Sequence, residues 1–137
     1  MILVDTSILI GYFKGIDTEP YQKLDSLIDN DIPFGICNPV YQEILQGAKN
    51  MSEFKLLREY LDRLTIYDLR YGKKSYEMAA LMYYKCRKAG ITPRSTVDMI
   101  IAQTAIDNNL LLFHNDTDFI KIASVVTDLK LLSPEAI

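Results

Sequence analysis

The sequence predicts an α/β fold in three layers, with a mostly parallel central sheet of about five strands between two layers of helices. Two observations carry this prediction. Short runs that are apolar throughout, such as residues 2–4 and 34–37, are typical of strands buried on both faces of a parallel sheet. Longer amphipathic segments separate these runs, and such an alternation of strand and helix indicates parallel strands joined by helical crossovers.

The first half of the chain contains two strands and four helices. The predicted order is strand, helix, helix, strand, helix and helix, at residues 2–4, 8–13, 19–28, 34–37, 38–47 and 52–64. The Asp-Thr-Ser segment at 5–7 offers three N-caps for the first helix. Leu24, Leu27 and Ile28 recur at helical spacing, so we expect all three to face the core.

The second half continues the alternation. The predicted order is strand, long helix, helix, strand, short helix and strand, at residues 66–67, 71–89, 95–108, 110–113, 119–123 and 130–132. Gly90 ends the long helix, because glycine adopts the left-handed conformation of a helix C-terminus without steric cost. Ser95 is the predicted N-cap of the helix that follows.

Composition indicates one domain spanning residues 1–137, since a chain of 137 residues that is 49% hydrophobic can bury a substantial core. The cysteines, Cys37 and Cys86, form neither a CxxC motif nor a ligand cluster, and Cys37 lies in an apolar run as a small buried residue would. The start of the chain lacks the basic region of a signal peptide, and no apolar stretch approaches the ~18 residues of a membrane span. We therefore expect a cytoplasmic protein with no membrane segment.

Charge is unevenly distributed along the chain. The net charge of −3 and the pI of about 5.1 exclude an overall basic field that would attract nucleic acid. Between positions 70 and 94, however, seven basic residues accompany one acid, Glu77. A basic patch beside an acidic pocket suits a metal-dependent nuclease, because the patch can hold a phosphate backbone. Taken alone, a charge run is more often an ordinary solvated helix face.

Four acidic positions lie where such a sheet would place an active site. Asp5 and Asp116 follow predicted strands, Glu43 lies on the helix after the second strand, and Asp98 lies in the first turns of its own helix. The carboxyl ends of neighbouring parallel strands lie side by side, so these acids should converge at one crevice. Converging carboxylates repel one another unless protons or a cation are bound, and oxygen ligands favour Mg²⁺ or Mn²⁺.

Three of these acids have an ordinary structural explanation. Asp5 and Asp116 can each cap a helix, where the macrodipole favours negative charge. Glu43 lies at the rim of an apolar arc of its helix, from which a long side chain can reach solvent.

Asp98 is the hardest acid to explain structurally. It shares a helix face with Ile101, Ala102 and Ala105, where a carboxylate is costly to bury without compensation. A capping box with Ser95 is the structural alternative, but that motif prefers Glu or Gln over Asp. We therefore favour a functional role for Asp98.

Four motifs resemble the PIN domain family when their order and spacing are considered together. They are Val-Asp-Thr-Ser at 4–7, Glu43, Ser-Thr-Val-Asp-Met-Ile-Ile-Ala at 95–102 and Leu-Phe-His-Asn-Asp-Thr-Asp-Phe at 112–119. The resemblance covers essentially the whole chain, and within the family the chain looks like the VapC-type toxin ribonucleases. It implies a PIN-like α/β/α fold.

The resemblance also implies the residues of the site. The catalytic acids would form a quartet, which is Asp5, Glu43, Asp98 and Asp116. Three of them would bind the metal, namely Asp5, Asp98 and Asp116. Asp118 is a further acid that could complete the quartet in place of Asp116. Thr6, Ser7 and His114 are the implied supporting residues.

A VapC-type ribonuclease would cleave single-stranded RNA with Mg²⁺ or Mn²⁺, through a metal-activated water that attacks the phosphodiester. The implied partners are the RNA substrate, a cognate antitoxin protein and a second copy of the chain in a homodimer. Within the basic segment, Arg87, Lys88 and Arg94 are candidates for contacts to the RNA backbone.

Three rival classes remain open at this point. A receiver-type signalling domain also gathers acids at strand ends and could use Asp68 as its phosphoacceptor, although Asp5 lacks the adjacent acid expected there. A haloacid-dehalogenase-like phosphatase would need a second Asp where this chain has Ser7. A catalytically inactive PIN domain that serves as a binding module would be recognised by a broken acidic quartet.

Overall fold

Five parallel strands form one sheet in the computed structural model, which describes residues 1–132. In chain order the strands are β1 (Ile2–Val4), β2 (Phe34–Cys37), β3 (Thr65–Tyr67), β4 (Leu111–Phe113) and β5 (Lys130–Leu131). Their order across the sheet is β3-β2-β1-β4-β5. The predicted three-layer α/β fold with a parallel sheet is confirmed.

Seven helices connect these strands within the described part of the chain. They are α1 (Thr6–Phe13), α2 (Glu19–Asp29), α3 (Asn38–Gln46), α4 (Met51–Leu61), α5 (Lys73–Lys88), α6 (Thr96–Asp107) and α7 (Thr117–Val125). Helix α1 begins earlier than predicted, because Asp5 is the last extended residue before it. Gly90 has a positive φ of 84°, which fits its predicted place at the end of α5.

The path of the chain reverses direction across the sheet at β1. The chain first runs from β1 to β2 and β3, and then returns past β1 to β4 and β5. Right-handed crossovers therefore carry helices α1 to α4 and helices α5 to α7 to opposite faces. The gap between β1 and β4 is a topological switch point, where open α/β sheets bind ligands outside the carboxyl ends of the strands. Val4 pairs with Phe113, so the residues after these two strands emerge side by side.

The core lies between the sheet and both helix layers. Leu24 and Leu27 are fully buried, as predicted. The prediction for Ile28 is wrong, since this residue is 38% exposed. Ile28 lies in the last turn of α2, where it lines a surface groove with Tyr12 and Phe34 instead of entering the core.

Both cysteines are free thiols within the core. Cys37 and Cys86 are buried, which confirms that Cys37 is a packing residue. Burial raises the pKa of Cys37 to about 12. Among the described helices, none has the length and apolar character needed to cross a membrane.

Candidate active site

Asp5 is fixed at the switch point by the backbone that precedes it. Its N–H donates to the carbonyl oxygen of Phe113 at 2.9 Å, which extends the pairing of β1 with β4 by one residue. The Asp5 side chain is buried and makes no capping hydrogen bond to α1. Burial raises the pKa of Asp5, although a hydrogen bond from Ser7 acts in the opposite direction. The backbone N–H groups of Thr6 and Ser7 also lower this pKa, but neither forms a capping hydrogen bond to the Asp5 side chain.

Ser7 joins the two strand ends at the switch point. Its Oγ donates to Oδ2 of Asp5 at 2.7 Å and accepts from the backbone N–H of Asn115 at 3.2 Å. The hydroxyl therefore orients Asp5 and ties the first turn of α1 to the loop after β4. This geometry fits the supporting role predicted for Ser7.

Glu43 reaches the same region from the middle of α3. The helix starts directly after β2, with Pro39 in its first turn, so Glu43 lies little more than one turn beyond the strand end. Thr6 Oγ1 donates to Glu43 Oε1 at 3.0 Å, which holds the half-buried carboxylate beside the start of α1.

Asp98 lies half-buried in the first turn of α6. Ile101 and Ala102 on the same face are buried, as predicted from the sequence. The capping box does not form, because the Ser95 hydroxyl accepts from the N–H of Val97 at 3.1 Å and not from Asp98. Asp98 therefore has no capping role in α6.

Burial and neighbouring acids raise the pKa of Asp98 to about 6. Desolvation is the largest cause, and the charges of Asp5, Asp116, Asp118 and Glu43 follow in that order. The carboxylates predicted from the sequence are therefore close enough to act on one another.

Asp116 and Asp118 both form ion pairs with Arg94. Arg94 donates from Nε to Asp118 Oδ2 at 2.8 Å and from a terminal nitrogen to Asp116 Oδ1 at 3.1 Å. Asp116 is also the N-cap of α7, since Oδ1 accepts from the N–H of Asp118 at 2.9 Å. The capping explanation thus holds for Asp116, but it does not exclude a role in the site.

A cleft of about 420 Å³ at the switch point collects the predicted residues. Its walls include the four acids of the quartet and both hydroxyl residues, which are Asp5, Glu43, Asp98, Asp116, Thr6 and Ser7. Asp116 lines this cleft, whereas Asp118 does not. The geometry brings the complete predicted quartet together.

Three carboxylates are close enough for one cation. Asp98, Asp116 and Asp118 each offer an oxygen, and these oxygens lie within 4.8 Å of one another. All three are hard oxygen donors, so the donor chemistry fits Mg²⁺ or Mn²⁺. This trio contains Asp118 where the predicted ligand set contains Asp5, and Asp5 lies in the wall of the same cleft.

His114 supports the loop after β4. Its Nδ1 accepts from the backbone N–H of Asp116 at 3.1 Å, and its ring packs edge-on against Phe119 with centroids 5.5 Å apart. An accepting Nδ1 belongs to the neutral ring, and burial lowers the pKa of His114. His114 therefore positions Asp116 through its backbone.

The three basic residues predicted to contact RNA lie in different surroundings. Arg87 and Lys88 lie exposed in the last turn of α5, where the Arg87 guanidinium stacks 5.7 Å from the Tyr83 ring. Arg94 alone among the three contacts the acids.

Sequence reasoning missed the two polar side chains, Lys14 and Tyr21, among the remaining residues that line the cleft. Lys14 could have been found, because Ser7, Ile10, Gly11 and Lys14 follow helical spacing and all face the cleft. Tyr21 gives no such signal, because it lies on a different helix, α2. Its hydroxyl accepts a hydrogen bond from Asn115 at 3.3 Å.

The sheet order rejects the receiver interpretation. In a receiver-type sheet the third strand lies centrally, between the first and the fourth. Here β3 is an edge strand, and Asp68 accepts a hydrogen bond from Asn38 at 2.6 Å outside the acidic cleft. Asp68 is therefore not the centre of this site.

Comparison with known proteins defines the class of protein to which the chain belongs. The family model for the PIN domain matches residues 2–125. The chain belongs to the PIN domain family.

Similar proteins narrow this class further. The chain is 31% identical over 126 residues to the VapC ribonuclease Mb1587 of Mycobacterium bovis and to ribonuclease VapC11 of Mycobacterium tuberculosis, covering 91% of this chain and 93% of each relative. Among solved structures, a toxin–antitoxin complex from Klebsiella pneumoniae contains a chain of the same fold, with a TM-score of 0.73, 23% identity and full coverage of both chains. VapBC2 from Rickettsia felis, bound to a promoter DNA fragment, gives a TM-score of 0.73 at 24% identity, with 96% of this chain and 98% of that chain covered.

Proposed function

We propose that this chain is a divalent-metal-dependent endoribonuclease that acts as the toxin of a toxin–antitoxin pair. The observation that carries the proposal is the convergence of Asp5, Glu43, Asp98 and Asp116 on one cleft at the switch point. The curated relatives, which match 91% of this chain and are named VapC ribonucleases, support the same activity.

The acids divide into two groups by their contacts. Asp98, Asp116 and Asp118 would hold the cation, with Asp5 completing the cleft wall. When bound, Mg²⁺ or Mn²⁺ lowers the pKa of a water and offsets the negative charge on the phosphate. Glu43 is the proposed proton acceptor, because its hydrogen bond from Thr6 is uncharged and fixes its direction. Lys14, exposed at the cleft, would attract the RNA backbone together with Arg87 and Lys88.

An apolar groove beside the cleft supports an antitoxin as partner. It has a volume of about 760 Å³ and lies between α1, α3 and α4, with Phe13, Leu56 and Tyr60 in its walls. Ile10 and Lys14 line both this groove and the acidic cleft, so the two are continuous. A peptide segment lying in the groove would reach the acids. The toxin–antitoxin complexes among the structural neighbours support this partner.

Two further parts of the proposal concern assembly and compartment. Exposed apolar side chains on α5, among them Tyr76, Leu81 and Tyr84, support a homodimer through this helix. The free thiols of Cys37 and Cys86 support the reducing cytoplasm as the compartment.

The central test is cleavage of single-stranded RNA by the purified chain with Mg²⁺ or Mn²⁺. We expect EDTA and Asp98→Asn to abolish cleavage while circular dichroism shows a retained fold. Asp31→Asn is the matched control, since Asp31 is exposed before β2, at the other end of the sheet, and its positive φ of 52° suits asparagine. Unchanged cleavage by Asp98→Asn would contradict the proposed site. RNA binding without cleavage by the unmodified chain would indicate a binding module instead.

The antitoxin groove is tested separately. Leu56→Asp places a charge on a 66% exposed residue of the groove and should weaken antitoxin binding while RNA cleavage persists. Ile120→Asp, on a 56% exposed residue of α7, is the control. Equal antitoxin affinity for both variants in calorimetry would show that the antitoxin binds another surface.

A further inference from the structure

Arg94 bridges two carboxylates with separate nitrogens. Nε contacts Asp118 at 2.8 Å, and a terminal nitrogen contacts Asp116 at 3.1 Å. Both acids belong to the trio whose oxygens lie within 4.8 Å of one another. The guanidinium compensates the negative charge of two of the three clustered acids, which a bound metal ion would otherwise do.

Exposure of the bridge differs between its partners. The Arg94 side chain is 72% exposed, whereas the side chains of Asp116 and Asp118 are only 26% and 12% exposed. The arginine therefore covers the acids from the solvent side. Ion pairs with so exposed a partner contribute little to stability, so the guanidinium can be displaced at small cost.

The backbone around Arg94 is anchored independently of the ion pairs. Pro93 on one side is buried, and Ser95 on the other caps α6 through its hydrogen bond from Val97. Leaving the acids would require only a change of rotamer in a long exposed side chain, and α6 would keep Asp98 in place. The released guanidinium would then remain at the rim of the cleft.

We propose that Arg94 is the resident counter-cation of Asp116 and Asp118, that a divalent cation displaces it, and that the displaced guanidinium then binds an RNA phosphate. The second half of this inference rests on the proposed ribonuclease function, whereas the displacement itself does not. Arg94 would thus hold the acids together before the metal binds and contact substrate afterwards.

Binding of Mn²⁺ in the absence of RNA tests the displacement. Isothermal titration calorimetry should show Arg94→Gln binding Mn²⁺ roughly threefold or more tightly than the unmodified chain, the size expected when a competing exposed ion pair is removed. Arg63→Gln is the matched control, because Arg63 is exposed before β3, at the opposite end of the sheet, and it should leave Mn²⁺ affinity unchanged. Equal or weaker Mn²⁺ binding by Arg94→Gln would overturn the proposal and identify Arg94 as a structural clip.

Nuclear magnetic resonance of the arginine side chains observes the same step directly. The Nε–H resonance of Arg94, which is hydrogen-bonded to Asp118, should shift when diamagnetic Mg²⁺ is added. A resonance that does not move at saturating Mg²⁺ would overturn displacement.

The phosphate contact is tested with RNA. Arg94→Gln should raise the KM for RNA at saturating Mn²⁺, and an unchanged KM would overturn this half of the proposal. If the unmodified chain cleaved no RNA while Mn²⁺ affinity still rose in Arg94→Gln, the ribonuclease function would fail and the displacement would stand.

Discussion

Thr6 Oγ1 and Glu43 Oε1 are joined by a 3.0 Å hydrogen bond that links the first turn of α1 to the middle of α3. The bond spans elements that follow different strands, so it sets the separation between two walls of the cleft. Because the donor is uncharged, it orients the Glu43 carboxylate without adding a positive charge that would compete with a metal.

Thr6→Val should lower RNA cleavage by about fivefold, because loss of one orienting hydrogen bond is worth about 1 kcal/mol and valine keeps the shape of threonine. The melting temperature should change little, since Glu43 is only half-buried and water can replace the lost donor. Kinetics with a fixed RNA substrate make the measurement. Thr92→Val, at an exposed loop residue, is the control. Wild-type rates for Thr6→Val would show that Glu43 is oriented by other contacts.

Asp98→Asn should stabilise the metal-free chain at neutral pH. The pKa of Asp98 rises from 3.8 to about 6 on folding, so below pH 3.8 both states are protonated and the group has no effect. Stability falls as pH increases through that interval, and the full penalty remains above pH 6. With a discount for partial exposure, the penalty is about 1 kcal/mol.

Thermal melts in EDTA check this prediction for Asp98. The difference in melting temperature between Asp98→Asn and the unmodified chain should be near zero at pH 4 and positive at pH 7. A variant less stable at pH 7 would mean that Asp98 makes a structural contribution.

Asp107, at the other end of α6, should behave in the opposite way. It accepts hydrogen bonds from Ser75 Oγ at 2.6 Å, Gln103 Nε2 at 2.8 Å and the backbone N–H of Arg70 at 3.0 Å. Burial raises the pKa of Asp107, but these bonds outweigh burial and leave the pKa below its ordinary value. A lowered pKa contributes stability that is present above the unfolded pKa and is lost as pH falls through the folded pKa.

Asp107→Asn should therefore destabilise the chain by about 1 to 2 kcal/mol at pH 7, because one acceptor becomes a donor. Urea unfolding at pH 7 measures the loss, and the loss should shrink at acid pH. Mn²⁺ affinity should be unchanged, which separates this variant from Asp98→Asn. A neutral effect on unfolding would show that Ser75 and Gln103 re-pair without Asp107.

Gly11→Ala should destabilise the chain and disturb the cleft. A Cβ at Gly11 would overlap the ring of Tyr21, and the buried ring must then move. Such overpacking costs about 1 to 3 kcal/mol. Gly47→Ala is a matched control, since its Cβ would meet nothing closer than 3.4 Å and its φ is negative. Equal melting temperatures for the two variants would contradict the packing argument.

Local patterns predict most of the fold but not all of its packing. The apolar runs at β1 and β2 identify central strands because both faces of each are covered. Helical spacing predicts Ile28 in the core, because spacing cannot distinguish the core from the rim of a groove at a helix end. The order of the strands is likewise set by long-range pairing, such as Val4 with Phe113.

The sequence points to the candidate site most clearly where one residue conflicts with its own helix. Asp98 among buried aliphatic neighbours is such a conflict, and it is visible in the sequence. The bridge from Arg94 to Asp116 and Asp118 is not visible, because it joins the loop before α6 to the start of α7, which only the tertiary fold brings together. The continuity of groove and cleft at Ile10 and Lys14 is equally a product of tertiary packing.

The position of β1 at the centre of the sheet has a consequence for synthesis of the chain. β1 is made first, yet one of its two neighbours, β4, is among the last strands made, and the acids of the cleft extend from Asp5 to Asp116. A nascent chain that ends before Asp116 lacks part of the trio of Asp98, Asp116 and Asp118 and one side of the switch point. The ribosome would therefore be exposed to an active nuclease only after nearly the whole domain had emerged and folded.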